Sequence, residues 1–527
     1  MGNLGFQFLY ARFNEHAAFA AERFFFPQSP AARRGTGRMP VSEESGRPLS
    51  DFPIIAFSIP FENDEPAVPA ALTAAGIPPF QAERGPEHPL VIAGGVAVSL
   101  NPEPLAPFLD MVFIGELVED AIRDENGLFE LLAESPRLRR DREALLRRFA
   151  VLPSVYVPSA YSFVYAEDGR IASVSCEPDF PARVHAAKRR GVDDPVPVSV
   201  LFSPEAEFGD IALIEVNRGC GRGCRFCSGG WIHLPSRMRP FEAFRGNVEE
   251  ALSEGRTIGL VGSDLASHPQ LEEILTFVVE RGGKFSLSSI RPEGLTPEVI
   301  ALMARSGQKT ATLAPEVASD RLKKVVGKEI PSESFLALVE RLVSGGIPNV
   351  RFYFMIGLPT ETDDDVRPIV DFVLRARKIF VNASRPRGRI GRLSVQANPF
   401  VPKPWTPFQW APMTAPSELE SRAALLKAGL KHAADVTLRI ESPREALAQA
   451  VISRGDRRLA RALLDAAGRA EGLMRSLKKE QLGLEFFALR ERDPGEVFPW
   501  EVVDHGVSRR ALRKLYESAM KAGTEEE

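Results

Sequence analysis

Cysteine is scarce in this chain: there are four in 527 residues. That excludes a disulfide framework, which depends on many paired cysteines in a short sequence. Neither sign of charge dominates, with 66 Lys and Arg against 70 Asp and Glu. No general attraction to nucleic acid or acidic lipid follows, and neither a basic stripe nor an aromatic base-stacking platform is present. No apolar run is long enough to span a bilayer. The opening stretch, MGNLGFQFLYARFNEH, has no basic leader and no cleavage site, so it does not read as a signal peptide. Tandem repeats and long low-complexity segments are missing too. These absences point to a reducing, cytoplasmic setting. The length asks for two to four domains, and an apolar content of 44% supplies their cores.

Three of the four cysteines fall in one loop, EVNRGCGRGCRFCSGG, from Glu215 to Gly230. The spacing is Cys220-x3-Cys224-x2-Cys227, which can aim three thiolates at one point. Soft thiolates favour iron–sulfur clusters, zinc or Cu(I). Structural zinc and ordinary electron-transfer clusters take four ligands. The fourth cysteine, Cys176, lies far upstream, and His233 lacks finger spacing. Three readings stand: incidental cysteines, a zinc site completed by Cys176, or a cluster with one open iron. The spacing favours the cluster. Gly219, Gly221 and Gly223 let the backbone wrap the sulfurs and turn amides toward them.

The loop sits in a regular alternation. IALIEVN (211–217) is short, apolar and β-branched, a buried strand. After it, helical and strand patterns alternate: helix 241–254, TIGLVG, helix 269–281, KFSLSSI, helix 296–306, KTATLAP, helix 332–344, VRFYFMIG, helix 363–380 and RLSVQAN. Six strand–helix alternations predict a partial (β/α)6 TIM-type barrel over 206–400. Sites in such barrels lie at the C-terminal strand ends, where the cysteine loop falls.

Residues 1–125 predict a Rossmann-like doubly wound α/β sheet. Its helices are GFQFLYARFNEH, 64–75, 102–109 and one from Leu117; its strands are PLVIAGG and MVFIGE, with ERFFF and PIIAFSIP as further apolar runs. Residues 126–205 read as a connector, with a basic helix and a hairpin turning at Asp168-Gly169. In 401–527, a Pro- and aromatic-rich strap, NPFVPKPWTPFQW (398–410), leads into a helical region over 416–482 and an acidic tail.

Cys-x3-Cys-x-aromatic-Cys, with Phe226 as the aromatic, resembles the signature of radical S-adenosylmethionine (SAM) enzymes. The resemblance implies a [4Fe-4S] cluster on Cys220, Cys224 and Cys227 whose open iron chelates the methionine part of SAM. It implies SAM contacts at Phe226, at Gly262, Ser263 and Asp264, at Glu316 and Lys328, and at Gly357. The family's usual Gly-Gly-Glu-Pro is replaced here by Gly262-Ser263-Asp264, with a shorter acid. It also implies a small reductant protein, such as a flavodoxin or ferredoxin, as partner. The N-terminal domain resembles the cobalamin-binding domain of one radical SAM class, in which Gly94, Gly95, Gly115 and Glu116 would border the nucleotide tail. The Asp-x-His-x-x-Gly cobalt-ligand motif is missing. In such relatives a strand precedes the equivalent of Met1, so the sheet is expected to be one strand short. The implied function is reductive SAM cleavage, with cobalamin-dependent methyl transfer to an unactivated carbon. The alternatives are a cobalamin-independent hydrogen abstraction and a non-catalytic iron–sulfur sensor.

Overall fold

The computed structural model describes residues 2–26, 40–118, 127–138, 140–189, 194–206, 208–433, 435–466, 470–480 and 482–524. The predicted α/β alternation is present. Strands β1 (Ile54–Ser58), β2 (Leu90–Gly94) and β3 (Met111–Phe113) run parallel, and β4 (Val155–Tyr156) closes the sheet antiparallel to β3. Val91, Val112 and Ile114 are fully buried, which is why these short β-branched runs become inner strands. The first helix, Leu4–Glu15, starts on Asn3, whose side chain accepts the Phe6 N–H at 2.9 Å.

The helix expected at 64–75 forms as Ala67–Ala74. The one expected at 102–109 does not: only a 3-10 turn, Ala106–Phe108, is found. Pro102, Pro104 and Pro107 remove the donors an α-helix needs. A short helix, Val96–Leu100, forms instead directly after Gly95. The beginning of the helix expected from Leu117 lies outside the described residues, and Leu128–Leu138 is helical. The last three residues of the acidic tail also lie outside them.

The connector contains the expected hairpin, β5 (Tyr161–Tyr165) against β6 (Ile171–Cys176), with Gly169 at φ +82°. The basic helix Arg142–Ala150 turns Arg142 inward, where Nη2 and Nε meet the buried Asp110 at 2.7 and 2.8 Å. A two-residue strand, β7 (Val184–His185), follows.

All six barrel strands form, and neighbouring strands run parallel in chain order. The first group is β8 (Ile211–Arg218), β10 (Thr257–Gly262) and β11 (Lys284–Leu287), with a short β9 (Arg237–Met238) antiparallel to the end of β8. The second is β12 (Thr310–Glu316), β13 (Asn349–Ile356) and β14 (Leu393–Pro399). The two groups are separate hydrogen-bonded sheets. The structure adds one strand that the helical reading of 416–482 missed: β15 (Val436–Ile440) pairs parallel with β14. Val436, Leu438 and Ile440 alternate with polar residues between two helices, and the open edge of β14 supplies the ladder.

The strap after the barrel is built into the core. Phe400, Trp405, Phe408 and Trp410 are all buried. Trp405 donates Nε1–H to the Leu100 carbonyl at 3.1 Å, and Lys403 pairs with Glu62 at 2.5 Å. The strap therefore fastens the barrel to the N-terminal sheet. Farther on, β16 (Val503–Asp504) pairs with β7. Among the described residues, no helix is long and apolar enough to cross a membrane.

Candidate active site

The cysteine loop leaves the end of β8 through Gly219, at φ +79°. A Cβ there would sit 2.3 Å from the His233 carbonyl and 2.7 Å from that of Pro235, so only glycine fits. The loop is pinned at its middle. Arg225 donates its backbone N–H to the Val326 carbonyl at 2.9 Å and its guanidinium to Lys324 and Val325. Trp231 Nε1–H reaches the Cys224 carbonyl at 3.1 Å. Phe226 packs against the core.

Burial pushes the Cys224 thiol up to about 11, against the pull of Lys328. Cys227 is exposed as a residue, but its sulfur is desolvated. That raises its pKa, against hydrogen bonds from the Gly230 and Gly229 backbone. Cys227 senses the charge of Cys220, and Cys224 that of Cys227, so the three sulfurs share one neighbourhood. Among the described residues no three His, Cys, Asp or Glu side chains are set to hold a single metal ion. A cubane spreads its thiolates wider than one ion does, and three soft donors in one neighbourhood, with the Gly229 and Gly230 amides turned toward Cys227, suit it. Cys176 is half-buried on the hairpin and donates its S–H to the Phe180 carbonyl at 3.4 Å.

Two further strand ends join this loop. At the end of β10, Asp264 takes Arg222 Nε–H at 2.9 Å and the Ser267 hydroxyl at 2.7 Å on Oδ2. Its N–H binds Asn217 Oδ1 at 2.7 Å, and its other carboxylate oxygen, Oδ1, is buried without a partner. A Cβ on Gly262 would fall 2.9 Å from Leu265 and 3.1 Å from Asn217. At the end of β12, Glu316 holds φ +70°, a strained conformation for a non-glycine residue. Lys328 Nζ lies 2.9 Å from its Oε1 and 2.7 Å from the Ala314 carbonyl. Burial raises the Glu316 carboxyl against the pull of Lys328.

Gly357, at φ +84°, ends β13 among different neighbours. Its N–H donates to Glu361 Oε1 at 2.7 Å, and its carbonyl accepts from Thr414 at 3.0 Å. Burial pushes Glu361 up to about 7, with the Gly357 amide and Arg422 opposing. Glu361 was missed in the sequence, although it stands in the same GLPTE turn.

The rim of the N-terminal sheet faces the root of the cysteine loop, at Asn217 and Arg218. A cavity of about 540 Å³ is lined on one side by Gly94, Gly95, Gly115 and Glu116, and on the other by Asn217, Gly262 and Ser263. Gly94 has room for a ligand, since a Cβ there would meet nothing nearer than 3.8 Å. Gly95 (φ +113°) and Gly115 (φ +99°) are glycine because of the chain itself: added Cβ atoms would fall 2.5 Å from the Ile59 carbonyl and 2.3 Å from that of Ala187. Glu116 lines the cavity beside the glycines, and its carboxylate is engaged within the chain. Both its oxygens are committed: Oε1 to Arg237 Nη2 at 2.7 Å and His233 Nδ1 at 3.3 Å, Oε2 to Arg237 Nη1 at 3.0 Å and the Arg189 N–H at 3.1 Å. Burial works against ionisation, but hydrogen bonds from His233 and Arg237 and the charge of Arg218 outweigh it and hold the carboxyl well below its usual range. His233 and His505 also line the cavity. Neither had a sequence signal, because only the tertiary fold brings them to it.

The fold and the loop define a radical SAM protein. A family model described as "Radical SAM superfamily" matches residues 214–373, and one described as "Radical SAM proteins, N-terminal" matches 5–158. The chain belongs to the radical SAM superfamily, and it is an enzyme whose cofactors include a [4Fe-4S] cluster and SAM. It is 26% identical over 411 residues to the uncharacterized protein MJ0966 of Methanocaldococcus jannaschii, covering 77% of this chain and 80% of that protein. It is 26% identical over 180 residues to the tRNA-2-methylthio-N(6)-dimethylallyladenosine synthase of Thermotoga petrophila, covering 32% of this chain and 40% of that one. Among solved structures it is similar to the radical SAM methyltransferase TsrM from Kitasatospora setae with cobalamin and [4Fe-4S] cluster bound. That likeness has a TM-score of 0.48 and 14% identity, and covers 85% of this chain and 90% of that one.

Proposed function

We propose that this radical SAM enzyme is cobalamin-dependent and transfers a methyl group to an unactivated carbon. The chain then divides into a cobalamin domain (1–125), a connector (126–205), the SAM barrel (206–400) and a strap with helices (401–527). The observation that carries the reading is the single cavity bordered by both the N-terminal strand ends and the barrel strand ends. Ligands of open α/β sheets and of barrels both lie at those ends, and the volume is that of a small-molecule site.

In this reading Cys220, Cys224 and Cys227 hold the cluster. Arg222 and Asp264 brace the loop against β10, and Lys328, held beside Glu316, receives the SAM carboxylate. Gly94 offers a rim without a side chain to a flat ligand. When bound, a reduced cluster supplies the electron that opens the SAM sulfonium, and a cobalamin supplies a carrier for the methyl group. The strap, buried across both halves, holds together the two layers whose strand ends border the cavity. A small electron-carrier protein such as a flavodoxin or ferredoxin serves as reductant.

A second reading, SAM cleavage without cobalamin, is favoured by Gly95 and Gly115, whose need for glycine is met by chain packing alone. Anaerobic reconstitution with iron, sulfide and hydroxocobalamin separates the two. Cobalt retained through gel filtration supports the first. SAM cleavage without retained cobalt leaves the second. The Cys176→Ala protein should keep about four irons per chain, and losing them would remove the three-cysteine assignment.

A further inference from the structure

Glu116 follows β3 of the N-terminal sheet, yet apart from the Arg189 N–H every hydrogen bond its carboxylate accepts comes from the segment beside the root of the cysteine loop, from Arg237 and His233. Arg237, its bidentate partner, lies on β9, which pairs with the last residues of β8: Arg218 opposite Arg237 and Asn217 opposite Met238. Arg237 also donates to the Arg189 carbonyl at 2.6 Å and the His233 carbonyl at 3.2 Å. The segment it gathers, His233 to Ser236, lies directly against Gly219. The His233 and Pro235 carbonyls fill the space a side chain would need there, and the Ser236 hydroxyl donates to the Gly219 carbonyl at 3.3 Å. Asn217 Nδ2 bridges the Gly219 and Arg237 carbonyls, at 3.3 Å to each. Cys220 is the next residue. From Glu116 to Cys220 there is thus an unbroken path of charge-assisted hydrogen bonds, strand pairing and close backbone packing. Only 1% of the Glu116 side chain is exposed, so solvent cannot replace a lost partner.

We propose that Glu116 is a positioning residue for Cys220: a carboxylate on the N-terminal sheet that holds β9 and the 233–236 segment against Gly219, and so sets where the first thiolate of the loop stands relative to the cavity. This rests on the reading of Cys220 as a cluster ligand. It places the registration of the cysteine loop partly outside the barrel, in the N-terminal layer. Cys224 and Cys227 have further holds of their own, through Trp231, Arg225 and the Gly229–Gly230 backbone, so the latch acts chiefly on one ligand of three.

The test uses the full-length chain before cluster loading, with timed iodoacetamide labelling and mass spectrometry of each cysteine. In Glu116→Gln, which keeps the shape and loses the charge, Cys220 should label about tenfold faster, the effect of losing one charge-assisted contact. Cys224, Cys227 and Cys176 should keep their parental rates. Arg237→Ala should match it, and the double variant should be no worse than either single, since both break one link. Glu116→Asp, which keeps the charge, should restore most of the protection. Cys220 labelling at the parental rate overturns the proposal. So does acceleration of all four cysteines together, which marks general loosening. Iron content after reconstitution of the parent is read separately: fewer than about four irons removes the ligand reading and leaves the labelling result standing.

Discussion

Lys328 Nζ lies 2.9 Å from Glu316 Oε1 in a pair whose two members come from the end of β12 and from the turn after the following helix. The helix Asp320–Val326 ends on Gly327 at φ +67°, and this left-handed cap turns the chain so that Lys328 points back to the strand end. The pair is buried beside Cys224, where a lysine without a counter-charge would be costly. Glu316 accepts φ +70° in order to reach it.

Lys328→Ala should weaken SAM binding by about ten- to a hundredfold, the range for losing a charge-assisted contact to a carboxylate. The measurement is equilibrium SAM binding to the reconstituted enzyme. Lys328→Arg should recover part of the affinity, since the charge returns with altered geometry. Unchanged affinity in the alanine variant would reduce Lys328 to a structural partner of Glu316.

Glu361 predicts a pH-dependent stability. Burial raises its folded pKa from the ordinary carboxyl value of 4.5 to about 7. The folded chain therefore holds a proton that the unfolded chain releases. Stability from this group is fully present below pH 4.5 and is lost as pH rises to about 7, a change of roughly 3 kcal/mol at most. Glu361→Gln mimics the protonated acid and can still accept the Gly357 N–H. Compared in denaturant titrations, the parent should lose stability relative to this variant between pH 4.5 and 7. A constant difference across that window would contradict the assignment.

Trp405 couples the strap to the N-terminal sheet through its bond to Leu100 and an edge-on contact with His505 at 5.3 Å between ring centroids. Trp405→Ala should cost about 3–5 kcal/mol, the usual price of a large aromatic lost from a core. Trp405→Phe should lose less, because it keeps most of the apolar volume. Thermal unfolding followed by circular dichroism reads both.

Much of this molecule could be read from local pattern. The six barrel strands and the place of the cysteine loop follow from period-2 and period-3.6 apolar spacing, which depends only on near neighbours. The hairpin at Asp168-Gly169 follows from turn chemistry in the same way. Misreadings arose where two local signals competed. Prolines cut the 102–109 helix to one turn, and a strand of alternating Val436, Leu438 and Ile440 was absorbed into a helical region because its partner, β14, lies forty residues away in the chain.

The site divides along the same line. Three cysteines in eight positions announce their chemistry by spacing alone, because the ligand geometry is local. That Gly262, Asp264, Glu316 and Gly357 stand at the ends of barrel strands was legible from the alternation, although Gly357 ends its strand among different neighbours, Glu361 and Thr414. What Glu116 does was not legible. Its position at a strand end suggested a ligand-facing role, but what an acid does is decided by the groups within hydrogen-bonding distance. Arg237 and His233 come within that distance only when the N-terminal sheet and the barrel pack together. His505 reaches the cavity only because β16 returns to pair with β7. Sequence determined which chemistry this chain carries, through donor type and spacing. The tertiary structure alone decided which polar groups are free and which are consumed, because that depends on distances between segments far apart in the chain.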